Sequence, residues 1–284
     1  MRLVSVSTLF LFCSSALAQI YTQLDFPGGV STTLTAVGKD GTQIGDFTVR
    51  TGQRYGFTFD PEAVFRSIDV DGATGTSPQG LNVHGSIAGW YLDESGIAHG
   101  FLLQNTATRT LDFSGAVATI GSGTNDRADV VGYYQDSDGV THGFIMRTAT
   151  FSAIDFPEAR LTAASGLNNV RDIVGYYEDA SGATHGFLFG QDEIFSTIDV
   201  PGAIETRAED INARDDIVGS FRDNEGVHGY LLRNGRFATL DFPGAVSTVA
   251  TGINDNGLIV GYFQSGGDRN HGFLLEEQVV EPGP

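Results

Sequence analysis

Five histidines recur at intervals of 43 residues, each opening a His-Gly-Phe or His-Gly-Tyr triplet: His99, His142, His185, His228 and His271. Imidazole binds transition metals, so the set could serve as metal ligands. The spacing argues against a shared metal. Ligands must converge to roughly 2 Å from one ion, and copies set 43 residues apart fall on separate repeat units. On a strand each His shares a face with the aromatic residue two positions on, such as Phe101, Phe144, Phe187 or Phe273. The rings are therefore expected to enter the packing between units, with a ring nitrogen satisfied by a polar partner. Tyr55 takes the His position in the first copy and offers a similar polar tip. The natural partners are six recurring aspartates, Asp25, Asp69, Asp112, Asp155, Asp199 and Asp241, each inside an Ile/Leu-Asp-Phe/Val signature. If such a pair is buried, losing one member should cost on the order of 3 kcal/mol.

A second chemistry is suggested by acidic turns: Asp93-Glu94-Ser95-Gly96, Asp136-Ser137-Asp138-Gly139, Glu178-Asp179-Ala180-Ser181-Gly182 and Asp223-Asn224-Glu225-Gly226. Carboxylates at this density could hold calcium, but none of these turns has the third acidic ligand and distal Glu of a complete oxygen-ligand loop. Hairpin turns use the same residue types for backbone reasons alone. No cofactor is therefore expected, with calcium the one ion the turns could take. Candidate ligand contacts are Asp93, Asp136, Asp138, Asp179 and Asp223, together with Trp90, the single tryptophan, which stands where other copies have Tyr133 or Tyr176. A core substitution explains Trp90; the functional alternative is a stacking platform for a sugar. His84, Arg54 and Arg222 also depart from the repeat. No catalytic residues can be named: there is no Gly-x-Ser-x-Gly, no His-Glu-x-x-His and no phosphate-binding loop.

The elements that carry these residues follow from the repeat. The signature aspartates are separated by 44, 43, 43, 44 and 42 residues. Between them lies a third signature, Gly166 to Tyr177, matched by Gly252 to Phe263. Each copy reads as four short segments rich in Val, Ile, Phe and Tyr. In one copy these are a (Ala163 to Asn168), b (Ile173 to Tyr177), c (His185 to Phe189) and d (Phe195 to Val200). Joints rich in Asn, Asp, Gly and Pro separate them, which is how strands and hairpins are written. Turns such as Pro27-Gly28, Pro201-Gly202 and Pro243-Gly244 mark the d-to-a corner. Four strands per repeat of this length is the blade of a propeller. A lone d segment opens the repeat region (Tyr21 to Phe26) and a c segment closes it (His271 to Leu275). The expected fold is thus an all-β, six-bladed β-propeller with four strands per blade, closed by the N-terminal strand completing the last blade. The b-to-c turns would gather acid on one face, and Arg127, Arg147, Arg171, Arg214, Arg233 and Arg236 would occupy the other.

Arg2, the apolar run Leu3 to Phe12 and Ala16-Leu17-Ala18 read as a signal peptide cleaved after Ala18. The expected organisation is a signal over 1–18, the propeller over 19–275 and a short polar tail over 276–284. Cys13 lies in the apolar segment, so the exported chain has no cysteine for disulfides, zinc or nucleophilic attack. A formal net charge of −19 with a single lysine, Lys39, repels phosphate backbones and makes nucleic acid a poor partner.

The stretch Gly252-Ile-Asn-Asp-Asn-Gly-Leu-Ile-Val-Gly-Tyr262, followed by His271-Gly272-Phe273-Leu274, resembles the HAF-type bacterial extracellular repeats. The resemblance covers nearly the whole exported chain. It implies a bacterial exported repeat protein with propeller geometry, with no activity to carry over. Gly stands here where the family triplet has Ala. The expectation is a secreted or periplasmic, monomeric, non-enzymatic binding or scaffold module that meets an extracellular protein or glycan without inserting into a membrane. The alternatives are a carbohydrate-active hydrolase or lyase on the same scaffold and a calcium-dependent adhesion module.

Overall fold

The structure is a computed structural model and describes residues 17–279. Residues 1–16 of the expected signal, Cys13 among them, and residues 280–284 of the expected tail lie outside the described residues.

Strand β1 (Leu17–Leu24) precedes the first complete blade, β2 (Ser31–Val37), β3 (Gln43–Thr48), β4 (Arg54–Phe59) and β5 (Phe65–Ile68). Blade two is β6 (Gly75–Leu81), β7 (Ile87–Leu92), β8 (Ala98–Gln104) and β9 (Ala107–Leu111). Blade three is β10 (Ala118–Thr124), β11 (Val130–Gln135), β12 (Thr141–Arg147) and β13 (Thr150–Ile154). Blade four is β14 (Leu161–Leu167), β15 (Ile173–Glu178), β16 (Thr184–Phe189) and β17 (Phe195–Ile198). Blade five is β18 (Glu205–Ile211), β19 (Ile217–Arg222), β20 (Val227–Arg233) and β21 (Arg236–Leu240). Blade six has β22 (Ser247–Ile253), β23 (Ile259–Gln264) and β24 (His271–Val279), and takes β1 as its fourth strand.

Each blade is an antiparallel meander, and blades five and six touch through one parallel pair, Val227 with Ser247. The described residues contain no helix. Closure works as expected: β1 runs antiparallel to β24 from Leu17 opposite Val279 to Leu24 opposite Gly272. The closing strand is longer than expected, because β24 continues past Leu275 to Val279.

The core lies between blades. Phe57, Phe101, Phe144, Phe187, Tyr230 and Phe273, one from each third strand, are fully buried. Their rings require glycine on the second strand. A Cβ on Gly132 would stand 1.9 Å from the Ile120 carbonyl and 3.0 Å from the Phe144 ring. The recurring Val-Gly-Tyr is thus a packing requirement.

Each innermost strand carries a β-bulge at a polar residue: Thr35, Gln79, Ser122, Ser165, Glu209 or Thr251. The next residue is Ala36, Gly80, Gly123, Gly166 or Gly252, with Asp210 as the exception. Neighbouring blades nearly touch there, since a Cβ on Gly80 would meet the Gly123 backbone at 2.7 Å.

Below the bulges an asparagine ends the inner strand in five copies, and Gly38 takes that place in the first. Asn125 Oδ1 accepts from the Arg127 and Asp129 amides at 3.0 and 3.1 Å, closing its own turn. The side-chain amides reach onward: Asn82 donates to the Asn125 carbonyl at 2.8 Å, Asn212 to Asn254 at 3.2 Å and Asn254 to Gly38 at 2.8 Å across the seam. One side chain therefore shapes a hairpin and fastens two blades. Asn125→Ala should lower stability by about 2 kcal/mol, because the buried Asp129 amide loses its acceptor. Urea unfolding of the two proteins measures this, and a change below about 0.5 kcal/mol would contradict the assigned role.

Candidate functional site

The repeat departs most from itself around the axis. Residues opposed across the first and second strands share a face, and at one level these pairs are Thr33 with Asp46, Ser77 with Trp90, Ile120 with Tyr133, Ala163 with Tyr176, Arg207 with Ser220 and Val249 with Tyr262. They form a girdle with large aromatic groups in four blades. Blade five exchanges sizes between its strands: Arg207 is long and Ser220 small, and the guanidinium lies 4.2 Å from the Tyr176 ring centre. Blade one is ionic. Asp46 is 3.1 Å from Arg54 and accepts from Ser77 at 2.6 Å, while the Arg54 guanidinium stands 5.5 Å from the Trp90 ring. Cation–aromatic contacts of this kind contribute about 0.5–2 kcal/mol.

One level down, the bulge residues line an axial cavity of about 110 Å³ that continues to the a-to-b turns. Glu209 and Asp210 stand in it where other copies carry Ser-Gly, Thr-Ala, Gln-Gly or Thr-Gly. Asp210 spans the junction of blades five and six, accepting from the amides of Ile211 and Ile253, each at 2.9 Å. Burial pushes its carboxyl up to about 7 despite those bonds, and the Glu209 charge adds to the rise. Burial also raises Glu209, against the pull of Arg207 and the Ser165 hydroxyl. Asp46 is raised by burial in spite of Arg54 and Ser77. Tyr133 is pushed up to about 12, chiefly by burial and further by Tyr176 and Glu209. The girdle and the bulge ring thus form one electrostatically coupled group.

The predicted histidine set lies elsewhere, on the outer rim. The pairs His99–Asp112, His142–Asp155, His185–Asp199, His228–Asp241 and His271–Asp25 all form through Nδ1 at 2.9–3.1 Å, the last joining the chain ends. They are not buried as the sequence suggested: the aspartates are about half exposed, since the turn they open projects from the ring. An exposed pair contributes about 1 kcal/mol at most, below the figure for a buried one. Asp69 closes the copy that carries Tyr55, and no hydrogen bond joins these two among the described residues; Tyr55 stacks on Phe47 instead, with ring centres 5.6 Å apart.

The acidic turns lie on the same rim and are occupied by their own backbone. Asp93 Oδ1 accepts from Ser95 and Ile97, Asp136 Oδ1 from Asp138 and Val140, Asp179 Oδ1 from Ser181 and Ala183, and Asp223 Oδ1 from Glu225 and Gly226. These bonds hold the carboxyls below their ordinary range, with the Ser181 hydroxyl the largest influence at Asp179, which falls to about 2. A histidine Nε2 faces each of them at 3.3–3.5 Å. The backbone amides of Asp138 and Ser181 serve these turns as donors, and the Asp138 side chain makes no hydrogen bond among the described residues. No three His, Cys, Asp or Glu side chains gather in metal-binding distance among the described residues. The turns stand on separate blades and do not converge with Trp90.

The electrical two-sidedness expected from the arginines is absent. Arg171 pairs with Asp129 at 2.8 Å, and Arg214 and Arg233 share Asp216. Asp126, Asp172, Asp215 and Asp255 occupy the same set of turns, so both faces carry acid. Arg222 bonds Glu205 at 2.6 Å, and His84 contributes its backbone amide to the Asn82 turn. Sequence reasoning missed Asp46, Arg207, Glu209 and Asp210. The available signal was their departure from the aligned copies at positions otherwise small or aromatic.

No protein-family model and no curated protein matches the chain. Solved structures do match. AofleA from Arthrobotrys oligospora superposes with a TM-score of 0.60 at 13% identity, covering 93% of this chain and 91% of that one. The six-bladed, fucose-recognising lectin of Aleuria aurantia gives 0.56 at 13% identity over 89% of this chain and 96% of its own. TolB from Acinetobacter baumannii gives 0.57 at 13% identity over 89% of this chain and 65% of that one. At such identities the likeness establishes the six-bladed propeller fold. Among the described residues no helix is long and apolar enough to cross a membrane.

Asp210 makes stability depend on pH in a stated direction. Folded, its carboxyl keeps its proton to about pH 7; its ordinary value is 3.8. The associated stability is complete below 3.8 and is lost as pH rises to about 7, with Asp46 and Glu209 acting in the same sense. Unfolding should therefore be harder at pH 4.5 than the Asp210→Asn protein's pH profile alone would give. Urea titrations of both proteins across this range measure the difference. Identical profiles would show that Asp210 titrates normally.

Proposed function

We propose that this chain is an exported, non-enzymatic binding propeller, acting as a monomer, which receives a glycan at the axial girdle. The observation that carries the reading is the convergence of departures from the repeat on one level of the axis: Asp46 with Arg54, Trp90, and Arg207 beside Tyr176. The scaffold needs none of them. Flat aromatic faces beside charged hydrogen-bonding groups match the alternating C–H faces and hydroxyls of a sugar, which stack on the first and bond to the second. The similar folds described as fucose lectins support a glycan over a protein as the partner. The apolar N-terminal run, the Ala18 site and the HAF-like repeats support export from a bacterial cell.

The hydrolase or lyase alternative would need two carboxyls free to exchange protons with substrate. Glu209 and Asp210 are adjacent, but both oxygens of Asp210 are engaged by backbone amides. That engagement favours binding.

Trp90 is the only tryptophan, so intrinsic fluorescence reports on the girdle directly. A panel of polysaccharides and glycans should contain members that shift its emission, and Tyr176→Ala should weaken those by about tenfold, the scale of one lost stacking contact. A panel that leaves both emission and melting unchanged would refute the glycan reading. The proposal gives calcium no part, so chelator should leave the melting temperature where calcium does. A shift of several degrees would restore the calcium-dependent alternative.

A further inference from the structure

We propose that the groove between blades five and six is a second ligand site, independent of the axial girdle, taking a small neutral polyhydroxylated molecule of monosaccharide size. The groove has a volume of about 380 Å³ and is lined by Gln19, Tyr21, His228, Asp241, Val246 and Ser247, among others. Tyr21 is 3% exposed, and its hydroxyl has no hydrogen-bond partner among the described residues. The scaffold does not ask for that hydroxyl. The same position in the other fourth strands is held by Phe65, Phe151, Phe195 and Phe237, and by Thr108 in blade two. A buried donor without a partner is unfavourable unless something else meets it.

His228 stands beside it between two carboxylates: Nδ1 pairs with Asp241 at 3.0 Å, and the buried Nε2 lies 3.3 Å from Asp223 Oδ1. The Asp223 turn reaches its histidine in five residues, where Asp93, Asp136 and Asp179 take six. Asp223 accordingly caps the amides of Glu225 and Gly226, and Val227 is brought against Ser247. At the axial end of this junction Asp210 replaces the usual small residue and bridges to Ile253. Three departures from the repeat, in separate segments, meet at one of the six blade junctions. Tyr230 also has an unpaired hydroxyl, but it does not line the groove.

The chemistry of the walls sets the ligand class. Neither lysine nor arginine lines the groove, and Asp241 stands in it, so an anion is disfavoured. The single carboxylate is already bonded to His228, which is little to hold a cation. Tyr21 and Ser247 can donate or accept and Asp241 accepts, while the His228 ring has a carboxylate at each nitrogen, Asp241 at Nδ1 and Asp223 at Nε2. Vicinal hydroxyls answer such a mixture, and Pro243 and Val246 give the ligand's C–H face an apolar wall.

The test is calorimetric titration of the full exported chain and its Tyr21→Phe variant with the methyl α- and β-glycosides of glucose, galactose, mannose and fucose. At least one glycoside should bind the wild type without changing Trp90 emission, and Tyr21→Phe should bind it about tenfold more weakly. The variant should melt no lower than the parent, since Phe65, Phe151, Phe195 and Phe237 hold this position in other blades. Absence of saturable binding to the wild type, equal binding by the variant, or binding seen only with a Trp90 emission change would each overturn the groove site. The last would leave the axial reading standing.

Discussion

The whole ring depends on how closely six inner strands approach one axis. At the level after each bulge the neighbouring backbones leave room for a hydrogen or a methyl, which is why Gly80, Gly123, Gly166, Gly252 and Ala36 recur there. The bulge permits this approach, because the extra residue turns its polar side chain out of the contact and into the channel. Thr35 and Thr251 use that freedom to bond the next blade's backbone, at Pro78 and Leu34. Close packing at the axis and openness in the channel are therefore two results of one local irregularity. Asp210 is tolerated only because Gly166 on the preceding blade leaves space beside it: a Cβ on Gly166 would stand 2.8 Å from the Asp210 Cα.

From that centre outward, the junctions are tied at up to three radii. Asparagines join the turns near the axis except from blade one, where Gly38 stands; buried Phe or Tyr rings fill the middle; and aromatic stacks tie the rim except where Val70 and Val200 replace the phenylalanine. On the rim Phe113 lies 3.7 Å over Tyr134, Tyr134 stacks on His142, and His142 bonds Asp155, whose neighbour Phe156 stacks 3.6 Å over Tyr177 in the next blade. The His-Gly-Phe and Asp-Phe signatures are successive links of this belt. Each pair contributes about 0.5–1.5 kcal/mol, and repetition around a closed ring lets weak links add.

The fold was legible because periodicity is a global property that survives local ambiguity. Aspartates at 44, 43, 43, 44 and 42 residues, and the split repeat at the two ends, were enough for blade number, strand number and closure. The His–Asp pairing was legible too, but its exposure was not: alternation assigns a face, whereas distance from the axis decides how much water reaches it. The interblade asparagines were read only as turn formers, since a sequence shows the hairpin a residue closes and not the neighbour it touches. Charge was misjudged for a related reason. Counting arginines by turn overlooked aspartates of the same turns, such as Asp129 and Asp216, which pair with them.

The functional residues were the least legible part, and the reason is informative. Signatures are found by what copies share, so they report the scaffold; what a repeat protein does with its scaffold resides where one copy differs. Arg207, Glu209 and Asp210 look unremarkable in a chain of net charge −19, and only their places in the register single them out. A charged pair replacing Ser-Gly beside the axis must lose hydration that a surface pair keeps. The fold holds that cost at one blade while five others are built for stability. The buried acids, the inward arginine and the unpaired tyrosine hydroxyl around blade five are features that the repeat itself does not require.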